Sequence, residues 1–464
     1  DMDMNFRFFN HRMFSAILNF IGLALAFSAF LVIMVQVVYD YGYDRNYEDA
    51  ERIFRVENKF MSRVGYSTVL SRPMIEAMKS ASPEIEAGGC YNYTKGWNVA
   101  VTLSDDVQQN EYRIRYGIIE KSLLRVFPFD FIVGDTSRFE PFTVIMSETT
   151  AKLLFGDDSA VGKNIYIDKG EQPYMVAAVY KDFPENSSAD CGIFGNIGDS
   201  QLDDWSEWNQ SFYVKLRTPQ AADDVAAAML HTLISYYDVE GWTEEEMAEY
   251  MSSLRLVNLH DAYYSTDVEY DNMGKGNRFT TITCFTVSLL IIIVAIINFI
   301  NFSMASVPFM IKGINTRRVL GSTRGRLIGR QVGESLLIAV AAFILSVIVM
   351  RALSGTFVSS MISGSLDPSR NFALIGVGAA IALVMVALAG IFSASYSTSF
   401  PPAMVLKGSF SLSAKGRSLR SIIVGFQYVV SFILIIMTLF IYCQRRYMNS
   451  FDMGFDREQI VTFY

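Results

Sequence analysis

A multi-pass α-helical membrane protein, with about five transmembrane helices and one large mixed α/β extracytoplasmic domain, is the fold class this sequence predicts. Three observations predict it. The 464 residues are 51% hydrophobic and only 19% charged, too apolar for an ordinary soluble chain of that length. Five segments reach or approach the ~20 apolar residues that a helix needs to cross a ~30 Å hydrocarbon core. The charge is also sorted by region: residues 39–279 hold 22 Lys+Arg against 40 Asp+Glu, whereas Lys312 to Arg330 hold six basic residues and no acid. Nothing in this pattern predicts a nucleic-acid partner.

Residues 1–12 are read as a cytoplasmic N-terminus and Met13 to Val38 as the first transmembrane helix. That segment is longer than the apolar core of a signal peptide and lacks a small-x-small cleavage pattern. Tyr39, Tyr41 and Tyr43 after it form an interfacial aromatic belt. The acidic region 39–279 is long enough for a domain with its own core. Within it, Thr143 to Met146 and Tyr174 to Tyr180 read as strands. Ser147 caps a helix through Ala151 and Leu154 that Gly156 ends, and Thr243 with Glu246 makes a capping box. Gln220 to Tyr237 has amphipathic helical spacing, and Asp182 to Asp190 is a loop.

The remaining elements follow in order. A second transmembrane helix spans 280–302, and a basic cytoplasmic segment follows over 303–334. The third helix, 335–353, carries Arg351 near its end, where the side chain can snorkel to the headgroups. An external loop, 354–370, leads into the fourth helix, 371–392. The linker 393–420 is basic again, with Lys407, Lys415, Arg417 and Arg420 and no acid in its basic part from Ala394 on. The fifth helix is 421–443, and 444–464 starts a second extracytoplasmic domain. The positive-inside rule puts both basic segments in the cytoplasm, so the N-terminus is inside and the acidic domain and Tyr464 are outside.

No constellation for catalysis or cofactor binding is present, so neither enzyme activity nor a cofactor is expected. The stretch Gly156 to Asn164 has five residues between its glycines, two of them acids, and lacks the hydroxyl that a Walker loop places after its lysine. It reads as a turn. His11, His231 and His260 are scattered without metal-ligand spacing. Cys284 and Cys443 are small apolar packing residues in membrane helices, while Cys90 and Cys191 either pair as a disulfide or stay two buried thiols. Asn298 and Asn301 share a face of the second helix and read as hydrogen-bonding contacts between helices, with a substrate path as the alternative. Glu334 is a helix-start or interface residue, and the apolar cores hold no Asp or Glu for a proton relay.

The stretch Lys312 to Leu337 is the most informative. Gly321 ends one short helix in a left-handed conformation and Ser322 caps the next. This yields a short basic cytoplasmic element with Val319, Leu320, Leu327 and Ile328 available for docking. The alternative is that its arginines only fix topology and touch lipid phosphates. The chain also repeats itself: Tyr43-Asp44-Arg45 and the strand-like Arg52 to Val56 after the first helix match Gly454 to Arg457 and Gln459 to Phe463 after the fifth.

These residues resemble a known family. The order is one helix, a large external domain and three helices, with Arg317-Arg318-Val319-Leu320-Gly321-Ser322-Thr323-Arg324 leading into Gln331, Glu334, Ser335, Leu336 and Leu337. This is similar to the permease subunits of MacB/FtsX-type ABC transporters. Val144 to Ile167 resembles that family's periplasmic core domain, and Phe400 to Gly408 the linker of the duplicated form common in Bacteroides-like bacteria. The resemblance implies a second external domain and three more helices beyond Tyr464. It also implies a separate cytoplasmic ABC ATPase dimer as partner, periplasmic adaptor or substrate proteins, and a bacterial inner membrane location. The element that couples to the ATPase would be Asn315 to Leu327, with Arg317, Arg318 and Arg324 as polar contacts and Leu320, Gly321 and Leu327 completing it. Motion would pass through the first two helices, acting as stalks, to the external domain. A membrane sensor with an external ligand-binding domain is the competing expectation.

Overall fold

In the computed structural model of this chain, the residues described are 2–45, 47–60, 65–92, 97–103, 111–168, 170–236, 243, 245–246, 251–271, 273–399 and 414–451. The predicted linker Phe400 to Gly408 and the second copy of the repeat, Gly454 to Phe463, lie outside them, as do the side chains of His11, Lys312, Lys415, Arg417 and Arg420. The chain divides into two compact units: Asp1–Val37 with Thr283–Tyr464, and Val38–Ile282.

Helix α1 runs over Met2–Tyr41. The α/β unit then begins with β1 (Ile53–Asn58), β2 (Tyr66–Ser67), β3 (Val69–Leu70) and α2 (Arg72–Lys79). Next come β4 (Ile85–Asn92), β5 (Trp97–Thr102), β6 (Tyr112–Ile119), β7 (Phe131–Gly134), β8 (Thr143–Ser147) and α3 (Glu148–Phe155). The rest are β9 (Asn164–Ile167), β10 (Pro173–Tyr180), β11 (Ile193–Asn196), β12 (Gln210–Leu216), α4 (Ala222–Tyr236), β13 (Leu254–Asn258), α5 (Leu259–Tyr264) and β14 (Val268–Glu269).

The strands join into one connected sheet system. Six of them close on themselves in the order β11-β8-β10-β9-β5-β6, because β11 pairs with β8 on one edge and β6 on the other. Closure removes the exposed edges that an open sheet would leave. Val101, Ile114, Val144, Met146, Ile165, Val176 and Ile193 pack together as one core of this part. The second part is antiparallel, β4-β12-β1-β13, and shares a core with α2 and α4 built on Phe54, Val56, Phe212, Val214, Met74 and Met229. The predicted local chemistry is visible here: the Ser147 hydroxyl accepts from the Thr150 amide at 3.3 Å, and Gly156 closes α3 at φ +64°.

In the membrane unit the helices are α6 (Arg278–Val319), α7 (Arg324–Leu353), α8 (Phe372–Ser397) and α9 (Ala414–Ser450), in addition to α1. Among the described residues, five helices are long and apolar enough to cross a membrane: Ala16–Tyr41, Arg278–Val307, Arg324–Leu353, Phe372–Ser397 and Val424–Met448. In lipid a helix satisfies all its own backbone groups, so such segments have no competing conformation. Small residues recur among the buried positions of α7 and α8, beside Phe343 and Met350 on the first and Leu374 and Val386 on the second. Ser335, Ala339, Ala342 and Ser346 are buried on one, and Gly378, Ala382, Ala389 and Gly390 on the other. Small side chains let backbones approach closely where no hydrophobic effect drives association. The molecule therefore has the predicted class, a multi-pass helical membrane protein with a mixed α/β domain.

Candidate functional site

The basic turn between α6 and α7 is built by local rules. Helix α6 does not stop at the membrane face but continues to Val319, so the expected separate short helix is replaced by an extension of the membrane helix. It ends in a full Schellman motif. The Ser322 amide donates to the Arg317 carbonyl at 2.9 Å, the Gly321 amide donates to the Arg318 carbonyl at 3.0 Å, and Gly321 takes φ +95°. Any other residue would be strained at that φ. The N-cap of α7 is Thr323, not Ser322, and its side chain makes no capping bond.

The three arginines of this turn do different things. Arg318 Nη1 donates to the Thr398 carbonyl at 3.2 Å. Arg324 donates from Nε to Thr398 Oγ1 and from Nη2 to the Ser395 carbonyl, both at 3.3 Å. Both cations thus sit on the last carbonyls of α8, where the helix dipole favours positive charge. Arg317 is exposed. Val319 and Leu320 are 66% and 80% exposed at the tip, while Leu327 is buried. Leu327 is therefore a packing residue, not an exposed docking contact. Of the predicted coupling residues, Arg317 and Leu320 lie at the exposed tip, Gly321 shapes it, and Arg318 and Arg324 anchor it to α8.

Glu334 pairs with Arg330 at 3.2 Å on the surface of α7, an ion pair of small energetic weight. Asn301 is buried and Asn298 half-buried on α6, and among the described residues none bonds to Asn301 Oδ1. Cys90 and Cys191 do not pair. Cys90 belongs to the core under α2 and α4, and Cys191 to the aromatic core around Phe139 and Tyr180. Burial pushes both thiols up to about 12.

The α/β unit holds a site that sequence reasoning missed. Asp40, in the last turn of α1, is 4% exposed. Its carboxylate accepts from Tyr263 Oη and from Thr281 Oγ1, each at 2.7 Å, and its backbone carbonyl accepts from Tyr264 Oη at 3.0 Å. Thr281 lies in the first turn of α6, so one carboxylate ties the end of the first long helix to the start of the second. Tyr43, read above as part of an interfacial belt, is instead buried and stacked on Tyr263 with ring centroids 3.9 Å apart. Gly276 makes the approach feasible, since a Cβ there would fall 2.1 Å from the Tyr263 ring.

A second clasp holds the turn after α1. The Asp44 amide donates to the Asn186 carbonyl at 3.0 Å, and Asp44 Oδ1 accepts from the Ser188 amide and Tyr47 Oη, both at 2.8 Å. Burial raises the Asp44 pKa to about 6, partly offset by hydrogen bonds from Ser188 and Tyr47. A folded-state pKa above the unfolded one gives stability that is complete below the unfolded value, near 4, and lost as pH rises through about 6. From this group alone the chain should be more stable at pH 5 than at pH 7.5 by about 1.4 kcal/mol, one pKa unit of the roughly two that separate the folded and unfolded values, and should melt at correspondingly higher temperature. Half-buried Asp190, also raised by burial, adds to the same slope. Asp44→Asn should flatten most of that slope in thermal melts, and an unchanged slope would refute the assignment.

Behind these clasps lies a buried ionic network. Arg55 and Glu57, adjacent on one face of β1, are both fully buried and paired. Arg55 Nη1 reaches Asp271 Oδ2 at 2.7 Å, Arg255 reaches Glu57 at 2.7 Å, and Lys275 also pairs with Asp271. Burial works against the charge on Arg55, but Asp271 and Glu57 outweigh it and hold its pKa above the ordinary value. Strand β1, which follows α1, is thereby tied to the segment that leads into α6.

Two family models match the chain: a MacB-like periplasmic core domain over residues 16–232, and an FtsX-like permease C-terminal region over residues 285–402. Among solved structures, a domain assigned to a permease protein from Porphyromonas gingivalis is 17% identical, with a TM-score of 0.39 over 52% of this chain and 99% of that one. The extracellular domain of the noncanonic ABC-type transporter YknZ from Gram-positive bacteria is 13% identical, with a TM-score of 0.32 over 44% of this chain and 100% of that one. The periplasmic region of MacB from Actinobacillus actinomycetemcomitans is 11% identical, with a TM-score of 0.32 over 46% and 90%. No curated protein matches the chain.

Proposed function

This chain belongs to the MacB/FtsX-type ABC transporter permeases, and from that membership we propose that it carries the motion of a partner ATPase across the membrane to its extracytoplasmic domain. The observation that carries this reading is α6. One unbroken helix of 42 residues has an exposed apolar tip with Arg317 at one end and Thr281, bonded to Asp40, near the other. A continuous helix is stiff along its axis at ~1.5 Å per residue, so displacement of its tip is passed along its length rather than absorbed by a loop.

In this proposal Val319, Leu320 and Arg317 meet a cytoplasmic ABC ATPase dimer in a bacterial inner membrane, with the N-terminus on the same side. Arg318 and Arg324 hold the tip in position through Thr398 and Ser395. The output is export, extrusion or mechanical action on extracytoplasmic adaptor or substrate proteins, and ATP hydrolysis belongs to the partner subunit. The test is co-purification with the ATPase encoded beside this gene. Leu320→Asp and Arg317→Glu should each cut co-purification and permease-stimulated ATP hydrolysis about tenfold or more, as expected for central contacts. Arg324→Ala should instead lower thermal stability first. Full binding and full stimulation by both tip variants would overturn the assignment.

A further inference from the structure

The segment between α7 and α8 is more than a connecting loop. It makes two short 3-10 turns, Ser359–Met361 and Pro368–Arg370. Its apolar side chains sort onto two sides. Val358, Ile362 and buried Leu366, spaced four apart, pack on the core of the membrane unit. Phe357 and Met361, also four apart, are 72% and 62% exposed, and Phe372 at the start of α8 is 73% exposed.

The depth of the segment follows from one bond. The Ser363 amide donates to Gln36 Oε1 at 2.7 Å. Gln36 lies five residues before the end of the 26-residue span Ala16–Tyr41. At ~1.5 Å per residue that span is ~39 Å long, about 9 Å more than the hydrocarbon core, so with the excess shared between its ends Gln36 lies near the edge of the core. Phe357 and Met361 belong to a segment pinned at that level. The helices on either side also carry exposed apolar side chains, Val340, Ile344 and Ile348 on α7 and Val377, Ile381 and Val384 on α8. Arg351 and Arg370, both exposed, flank Phe357 and Met361, with reach to lipid phosphates. An amphipathic segment with aromatic and basic residues at this height has the chemistry of an interfacial anchor.

We propose that residues 354–371 form a lipid-embedded anchor, with Phe357, Met361 and Phe372 inserted among the acyl-chain ends nearest the headgroups on the domain side of the bilayer. It braces the α7–α8 hairpin and, through Gln36, the outer end of α1. The test places Trp at Phe357 or Met361 of the full chain in nanodiscs made with phosphatidylcholine brominated at shallow or deep positions. The four native tryptophans all lie within 97–242, and their emission is subtracted using the wild-type protein. The added emission should be blue-shifted and lose about half its intensity with shallow bromines, and less with deep ones. The same substitution at Leu320, on the opposite side, reports an exposed tip in water. Added emission at both 357 and 361 that no brominated lipid quenches would overturn the proposal, and would mean that protein covers the patch.

Discussion

Replacing Asp40 with alanine is expected to destabilise the protein by about 3–5 kcal/mol, because the change strands two buried hydroxyl donors and opens a cavity. Tyr263 and Thr281 each donate to this carboxylate at 2.7 Å, and Asp40 and Thr281 are nearly fully buried. A hydrogen bond to a charged acceptor contributes about 1.5–3 kcal/mol, more than a neutral one. Thr281→Val and Tyr263→Phe each remove one donor while keeping shape, and should cost about 1–3 kcal/mol. The decisive measurement is a double-mutant cycle between Asp40 and Thr281, read by thermal or denaturant unfolding of the full chain in detergent. A coupling energy of about 1 kcal/mol or more fits a direct bond, whereas additive effects within ~0.5 kcal/mol would reject it. Hydrogen exchange should also rise first at residues 39–47 and 260–282.

The second large effect concerns Arg55. Its guanidinium is fully buried and is shared between Glu57 and Asp271. Arg55→Leu removes the cation and leaves two buried carboxylates, with Arg255 still beside Glu57 and Lys275 beside Asp271. Breaking a buried pair from one side costs about 3–5 kcal/mol, because the remaining charge stays desolvated. Removing both partners is different in kind. Arg55→Leu with Glu57→Leu leaves Asp271 beside Lys275 and fills the space with apolar volume, so the double variant should be clearly more stable than the sum of the single losses. Strict additivity would show that the network is not coupled as described.

Much of this molecule was legible in its sequence, for reasons that differ by element. The strands Thr143–Ser147 and Pro173–Tyr180, the Ser147 cap and the Gly156 stop depend on neighbours within a few residues. Gly321 was legible in the same way, because a Schellman turn is closed by bonds among Arg317, Arg318, Gly321 and Ser322. The number of spans could be read because a ~20-residue apolar run has one stable option in lipid. The arginines of the basic turn were readable as a group but not individually. Which of them is exposed and which holds Thr398 depends on where α8 ends, more than 70 residues away.

The missed site shows the same division. Asp40 lies in a run of tyrosines that looks like an interfacial belt, and nothing local marks it as the acceptor of Thr281, 241 residues later. Arg55 lies in a segment read only as strand-like, and nothing local shows that β13 and the Asp271 segment bury it together with Glu57. Cys90 and Cys191 share a domain, yet the fold assigns them to separate cores. By itself, then, the sequence determined the class, the spans and the turns, since hydropathy and capping act over one to five turns of chain. Only the tertiary structure decided which buried charges meet and which tip residues stay exposed. A polar group's partner is chosen by what the fold brings within ~3 Å of it, and that distance has no counterpart along the chain.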